Sequence, residues 1–130
     1  MSGTARVVVL VLLGIGMWLL ATLYIHFVPG AFTSPLQSAL GFITALPIGW
    51  LCIRLVQRSA RLARSQLITG GALVGAVAMM IDGVALRFFP WVYSADPDIF
   101  RSVGAWLLWG YGVALAIALW LGRDADPAHA

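Results

Sequence analysis

The sequence predicts an all-α protein: a four-transmembrane-helix bundle, formed as one integral-membrane domain over residues 1–130, with the N- and C-termini both in the cytoplasm. The composition gives the first indication. Hydrophobic residues make up 62% of the chain, charged residues make up 10%, and the mean hydropathy is +0.95. Soluble domains are about 45–50% apolar and about 25% charged, so this chain has more apolar surface than a soluble core of its size can bury. Four long apolar runs and an uneven distribution of arginine complete the prediction.

The lengths of the apolar runs set the number of spans. A hydrocarbon core about 30 Å thick needs roughly 20 helical residues at about 1.5 Å each, so 130 residues hold four spans with short connections. The first run is too long for a signal peptide, and no small-x-small cleavage site follows it. The predicted spans are Val7–Val28, Leu36–Val56, Leu67–Phe89 and Ser102–Leu121.

Proline, glycine and aspartate mark the ends of the spans. Pro29–Gly30 ends the first helix, Pro35 opens the second and Pro90 ends the third. Asp96–Pro97 has the pattern of an N-terminal cap followed by proline at the first helical position. The alternative is a cation site made by Asp96 and Asp98, but the segment has few other oxygen-rich side chains.

Arginine placement predicts the orientation. Arg87 and Arg101 lie at the ends of spans predicted to face outward, whereas the other arginines lie at the opposite ends. The positive-inside rule therefore places both termini and the middle connection in the cytoplasm of a bacterial cell, as expected for a multi-pass protein of the inner membrane. The cytoplasmic arginines are Arg6, Arg54, Arg58, Arg61, Arg64 and Arg123.

The same arginines indicate the partner surface. A net charge of +3 is compatible with nucleic acid in a soluble chain, but basic residues at span ends favour a lipid bilayer with anionic headgroups. Arg54, Arg58 and Arg61 are spaced four and three apart, so a continued helix would align them on one face. We interpret these three residues and Arg64 as headgroup contacts; a docking surface for a cytoplasmic partner is the alternative.

Aromatic residues cluster near the outer ends of the third and fourth spans. Trp91, Tyr93, Trp106 and Trp109 match an interfacial belt, and Trp120 marks the inner interface. A tryptophan platform for a ligand is the less common alternative.

Small residues recur every four positions in three spans. Such stripes let helix backbones approach closely in lipid. They serve either the interior of the bundle, which we favour, or a homo-oligomer or membrane-protein partner. Pro47 lies within the second stripe and predicts a kink or local unwinding. The stripes are Gly41, Ala45 and Gly49; Gly71 and Gly75; and Gly110, Ala114 and Ala118.

Asp82 is the one acidic residue within a predicted span. At about 100° per residue it lies within about 40° of the line through Gly71, Gly75 and Ala78, so it faces the bundle or an interface. A carboxyl group in the bilayer is costly and commonly has a role. A protonated, purely structural aspartate is the alternative.

Three other residues bear on Asp82. Arg87 is about 140° away around the same helix, which argues against an ion pair and favours snorkelling to the headgroups. His26 and Tyr111 lie at a comparable depth on the first and fourth spans. The candidate intramembrane polar site is therefore Asp82, His26 and Tyr111, with His26 and Asp82 as a proton-sensitive pair.

Residue chemistry argues against an enzyme. Cys52 is the single cysteine, so an intrachain disulfide and a thiolate cluster are excluded. His26 and His129 are too few for a metal or haem site, and the sequence has no nucleophile, phosphate-loop or zincin pattern. We therefore expect no catalytic residue, no cofactor and no metal.

The segments MMIDGVALRFFPWVY and WLLWGYGVAL resemble an uncharacterised family of small four-helix bacterial membrane proteins, a domain of unknown function. The resemblance rests on Asp82–Gly83, Phe89–Pro90 and the segment 109–112. It implies a bacterial inner membrane and a four-helix fold, and it carries no activity.

Two functions follow as expectations. The first is a non-catalytic auxiliary or scaffold protein that packs against a partner through its small-residue stripes. The alternative is a small proton-linked transporter or channel that uses Asp82.

Overall fold

Four long helices form the protein in the computed structural model, which describes residues 2–123. Each is long and apolar enough to cross a membrane, so the prediction of four helices that could each form a span is confirmed. The connections contain short 3-10 turns at Pro29–Phe32, Arg64–Gln66 and Pro90–Val92. The helices are α1 (Gly3–Phe27), α2 (Pro35–Ser59), α3 (Leu67–Phe88) and α4 (Pro97–Gly122).

The start of α4 confirms the capping interpretation. The Asp96 carboxylate accepts a hydrogen bond of 2.9 Å from the backbone N–H of Asp98, and Pro97 takes the first helical position. Ser2 and Ser34 cap α1 and α2 in the same way. The helix therefore begins before the apolar run of the fourth span, because its first turn is polar and held by the cap.

The helices are not equally close to one another. α1 packs mainly against α3, α3 against α4, and α4 against α2, whereas α1 and α2 share few contacts. Their order around the bundle is therefore α1, α3, α4, α2. The edge between α1 and α2 is comparatively open.

Gly14 marks the closest approach of α1 to α3. A Cβ atom added there would lie 2.9 Å from the Val74 carbonyl oxygen and 2.9 Å from Val77 Cβ. The predicted stripes did not include Gly14, because the residues four positions before and after it, Leu10 and Trp18, are large. Gly14 thus lets the two helix backbones pack closely, which matters because lipid supplies no hydrophobic drive for helix association.

Two arginines bind backbone carbonyls at one end of the bundle. Arg6 donates to the Ala60 carbonyl just after α2 (3.1 Å), and Arg64 donates to the Leu121 carbonyl near the end of α4 (3.0 Å). Carbonyls at helix C-termini lack intrahelical partners and carry partial negative charge. The start of α1, the α2–α3 connection and the end of α4 therefore lie together; we call this the arginine end.

The predicted alignment of Arg54, Arg58 and Arg61 is wrong. α2 ends at Ser59, and Arg61 has a left-handed backbone with φ of 52°. The chain must reverse here, and the next residue, Leu62, is buried in an apolar cluster.

The four predicted headgroup arginines differ in their contacts. Arg54 bonds to the Gln57 side chain at 2.9 Å, and Arg64 is held by α4. Arg58 and Arg61 are exposed. Contact with lipid headgroups stays a prediction for all four.

Pro47 does not interrupt α2, which is helical throughout Pro35–Ser59. The proline has no N–H to donate, which leaves a carbonyl one turn earlier without its usual partner. Two side chains donate hydrogen bonds to backbone carbonyls of this same turn. Trp109 donates to the Phe42 carbonyl at 2.8 Å, and Thr44 donates to the Gly41 carbonyl at 3.2 Å.

Candidate functional site

Asp82 lies inside the bundle with 4% of its surface exposed. Each carboxylate oxygen accepts a hydrogen bond from one tyrosine: Oδ1 from the Tyr93 hydroxyl and Oδ2 from the Tyr111 hydroxyl. Tyr111 belongs to α4, so the predicted proximity of Asp82 and Tyr111 is present in the structure. Arg87 lies over the Phe88 ring instead.

Tyr93 reaches the site from the α3–α4 connection. Phe89 ends α3, and the turn Pro90–Val92 folds the chain back so that Tyr93 is only 1% exposed. Its oxygen also accepts a hydrogen bond of 3.2 Å from the Trp18 indole of α1. Burial and the bond to Asp82 raise the pKa of Tyr93 above its ordinary value, so its hydroxyl is protonated at neutral pH and available to donate.

These contacts form a hydrogen-bonded chain across three helices and one connection. Trp18 donates to Tyr93, Tyr93 donates to Asp82, and Tyr111 donates to Asp82 from the other side. We call these four residues the Asp82 cluster. In the described part of the chain, no arginine forms an ion pair with the carboxylate, so the two hydroxyls are what compensates its burial.

The predicted pairing of His26 with Asp82 is wrong. His26 is exposed and contacts Phe27 edge-on, with 5.0 Å between ring centroids. The inward-facing line of α1 passes through Thr22 and then advances three residues to Ile25, which is 1% exposed. The apolar Ile25 fills the position in the core that a histidine would have to occupy.

Thr22 is itself a buried polar residue near the cluster. Its exposed fraction is 5%, and its hydroxyl has no hydrogen-bond partner within residues 2–123.

Two residues predicted for the interfacial belt lie inside the protein. Tyr93 is in the Asp82 cluster, and Trp106 packs between Tyr24 (5.3 Å between centroids) and Phe32 (5.6 Å). Sequence position alone suggested the belt, since aromatic residues are common at this depth. The one available signal was that Tyr93 follows a proline stop, where the chain has to turn back over the bundle.

A cavity of about 400 Å³ lies between the helices and is lined by residues of all four. The small-residue stripes face it, which confirms their predicted inward orientation. At Gly110 an added Cβ would meet nothing within 4 Å, so this part of the stripe borders empty space rather than another helix. The stripe residues in the wall are Gly41, Ala45, Gly49, Gly71, Gly75, Gly110 and Ala114.

The cavity wall is almost entirely apolar. It contains none of the charged residues of the described part of the chain, and Cys52 lies in it with its thiol free. Tyr111 is also part of the wall, and its hydroxyl reaches away to Asp82. The cavity and the Asp82 cluster therefore share one residue.

The cavity opens between α1 and α2. Two of its lining residues, Leu20 of α1 and Ile48 of α2, are 70% and 55% exposed. Apolar side chains that line a cavity and also face outward mark its rim. In a bilayer this opening faces lipid rather than water.

The described residues offer no group of three histidine, cysteine, aspartate or glutamate side chains that could hold a metal ion. His129 lies outside the described residues. The chemistry available at the site is therefore that of Asp82 and its tyrosines: accepting, donating and holding a proton.

The comparison with protein families gives one match. Residues 31–125 match a family described as a family of unknown function, DUF5367. No match was found among curated proteins or among solved structures. Because the matched region covers well over half of the chain, including α2, α3 and α4, this four-span protein belongs to the DUF5367 family.

Proposed function

We propose that this protein is a small, non-enzymatic, proton-linked transporter, with Asp82 as the proton-carrying residue and the bundle cavity as the substrate path. One observation carries the proposal: Tyr111 lines the cavity and also donates a hydrogen bond to Asp82. An occupant of the cavity and a proton on Asp82 therefore act on the same side chain.

The coupling follows from the number of hydrogen bonds that Asp82 donates and accepts in each protonation state. An ionised Asp82 accepts from both tyrosine hydroxyls, whereas a protonated Asp82 has a donor of its own and one fewer site to accept. A proton on Oδ2, the oxygen that faces Tyr111, displaces the Tyr111 donor and frees this hydroxyl to turn toward the cavity. Intramembrane carboxyl groups that face a bundle interior serve as proton relays in pumps and transporters.

Substitution of Asp82 by asparagine tests the proposal. Asn keeps the shape and one acceptor oxygen but cannot titrate, so we expect proton movement coupled to transport to be abolished. Proteoliposomes loaded with the pH-sensitive dye pyranine would receive a long-chain alcohol under a pH gradient, an uncharged probe chosen because the cavity wall is almost entirely apolar. Wild-type protein should give a proton flux that depends on the added alcohol, and Asp82→Asn should give none.

The matched control is Asp98→Asn, which removes an exposed carboxyl group at the start of α4. It should keep the wild-type flux. Equal flux from wild type and Asp82→Asn, with both proteins folded, would mean that Asp82 is only a packed polar residue, and the transporter proposal would fall.

The proposal also includes an orientation, with the arginine end in the cytoplasm of a bacterial inner membrane. The arginine excess at that end supports it. Reporter fusions after residue 130 and within the connection 60–66 should both report a cytoplasmic location. A periplasmic signal from either fusion would reverse the orientation.

The scaffold function has less support. A scaffold would bind a partner's helix through the small-residue stripes, yet seven of the stripe residues line the internal cavity. A partner on another surface stays a prediction, and the broad apolar exterior is already accounted for by lipid contact.

A further inference from the structure

We infer that the cavity is a binding site for a single-chain amphiphile: one extended hydrocarbon chain that carries an uncharged, oxygen-bearing head. Identifying this molecule as the transported substrate rests on the proposed function. The binding site itself rests on the shape, lining and opening of the cavity.

The shape of the cavity suits one chain. Its lining extends along α2 from Gly41 to Val56 and along α4 from Trp106 to Leu115, lengths of about 22 Å and about 13 Å at 1.5 Å per residue. The cavity is therefore elongated along the helices. Its volume of about 400 Å³ lies toward the lower end of the range for small-molecule pockets, about 300–1,000 Å³, which suits one slender molecule.

The two ends of the cavity differ in polarity. At the arginine end it is closed by the apolar cluster that contains Val56 and Val74. At the other end, near Gly41, lie the Thr44 hydroxyl, the Tyr24 hydroxyl and the Trp106 indole N–H. The Trp106 N–H is buried without an acceptor among the described residues. The head of the ligand therefore belongs beside Gly41, with its chain pointing to the arginine end.

The lining also restricts the charge of the head. Within residues 2–123, no arginine, aspartate or histidine borders the cavity, so a carboxylate, phosphate or ammonium group would be buried there without an opposite charge. A hydroxyl or ester group finds hydroxyl partners instead. Monoacylglycerols and long-chain alcohols have this chemistry.

The route of entry is the open edge between α1 and α2. A molecule dissolved in the bilayer reaches the rim at Leu20 and Ile48 without crossing water. Because lipid chains and the wall are equally apolar, chain burial alone gives little affinity in a membrane. Selectivity must come from the fit of one chain and from the polar end.

The test uses a long-chain monoacylglycerol with a photoreactive diazirine in mid-chain, added to the full-length protein in lipid nanodiscs. After irradiation, peptide mass spectrometry locates the labelled residues. We expect label on cavity-lining residues around Cys52 and Met17. Unlabelled monoacylglycerol should compete, whereas the fatty-acid anion of the same chain length should not.

Gly110→Leu and Gly112→Leu form the matched pair of variants. Neither position has an atom within 4 Å of an added Cβ, so both leucines start in open space, and thermal unfolding of each variant checks that it is folded. Gly110 lines the cavity, whereas Gly112 is exposed on the outside of the same helix. Leucine at 110 fills the chain site, so cavity labelling should fall about tenfold or more, while leucine at 112 leaves it unchanged.

Several outcomes would overturn the inference: label spread over lipid-facing residues such as Leu108, equal labelling of the two leucine variants, or equal competition by the anion. Cross-linking of two copies through the α1–α2 edge would mean that a second chain covers the opening. The result also separates the two proposals. Asp82→Asn should keep Gly110-dependent labelling. If the wild-type protein is labelled in the cavity but shows no coupled proton flux, the transporter proposal is wrong and the binding-site inference still holds.

Discussion

Substitution of Gly14 by alanine should destabilise the bundle by about 1–3 kcal/mol, the usual cost of forcing an extra carbon into a packed interior. The added methyl group would lie 2.9 Å from the Val74 carbonyl oxygen. A backbone atom of a neighbouring helix cannot rotate away as a side chain can. α1 and α3 must therefore separate, and α1 packs against α3 more than against any other helix.

Gly16→Ala is the control, because an added Cβ there meets nothing within 4 Å. Alanine favours a helix over glycine by about 1 kcal/mol, so this variant should match or exceed the wild type. Thermal unfolding in detergent, followed by circular dichroism, would compare the two. If both variants behaved alike, the close contact at Gly14 would not determine stability.

The four spans could be predicted from the sequence because they depend on local quantities. Apolar length fixes the existence of each helix, and proline or a capping aspartate fixes its end. The inward face of the stripes and the inward position of Asp82 follow from helical periodicity. Each of these needs only the residues of one helix.

The partners of Asp82 depend on distances between helices, which periodicity does not contain. Tyr111 shares its depth and lies at the site, whereas His26 shares its depth and lies outside. The difference lies in α1, whose inward face passes through Thr22 and Ile25, so that the next residue, His26, lies on the outside. Tyr93 was assigned to the interfacial belt because its connection was treated as lying outside the bundle; in fact the turn after Pro90 carries it inward.

The cavity could not be predicted from the sequence for a related reason. Small residues every four positions indicate an inward face, but they do not show whether another helix fills the space. At Gly14 the space is filled by α3, whereas at Gly110 it is empty. Only the arrangement of the four helices shows that Gly14 serves close helix packing and that Gly110 borders a cavity.

Removal of both hydroxyls from the Asp82 cluster should cost more than either single substitution. Tyr93→Phe and Tyr111→Phe each leave one carboxylate oxygen without its donor, at about 1–3 kcal/mol. The double variant leaves a buried carboxylate with neither. Because the two tyrosines share one acceptor, their effects should be coupled rather than additive. Tyr24→Phe, which removes a hydroxyl outside the cluster, should cost little.

A third substitution then separates structure from function. Adding Asp82→Leu to the double variant removes the uncompensated charge, and replacing a buried polar network by apolar residues is commonly neutral or stabilising. Thermal unfolding should therefore recover much of the loss, although the Trp18 indole lacks its acceptor in every Tyr93→Phe background. Failure to recover would show that Asp82 does not carry the cost. A stable triple variant that lacks proton flux would mean that the fold has no need of this carboxyl group and that the Asp82 cluster serves proton transfer rather than packing.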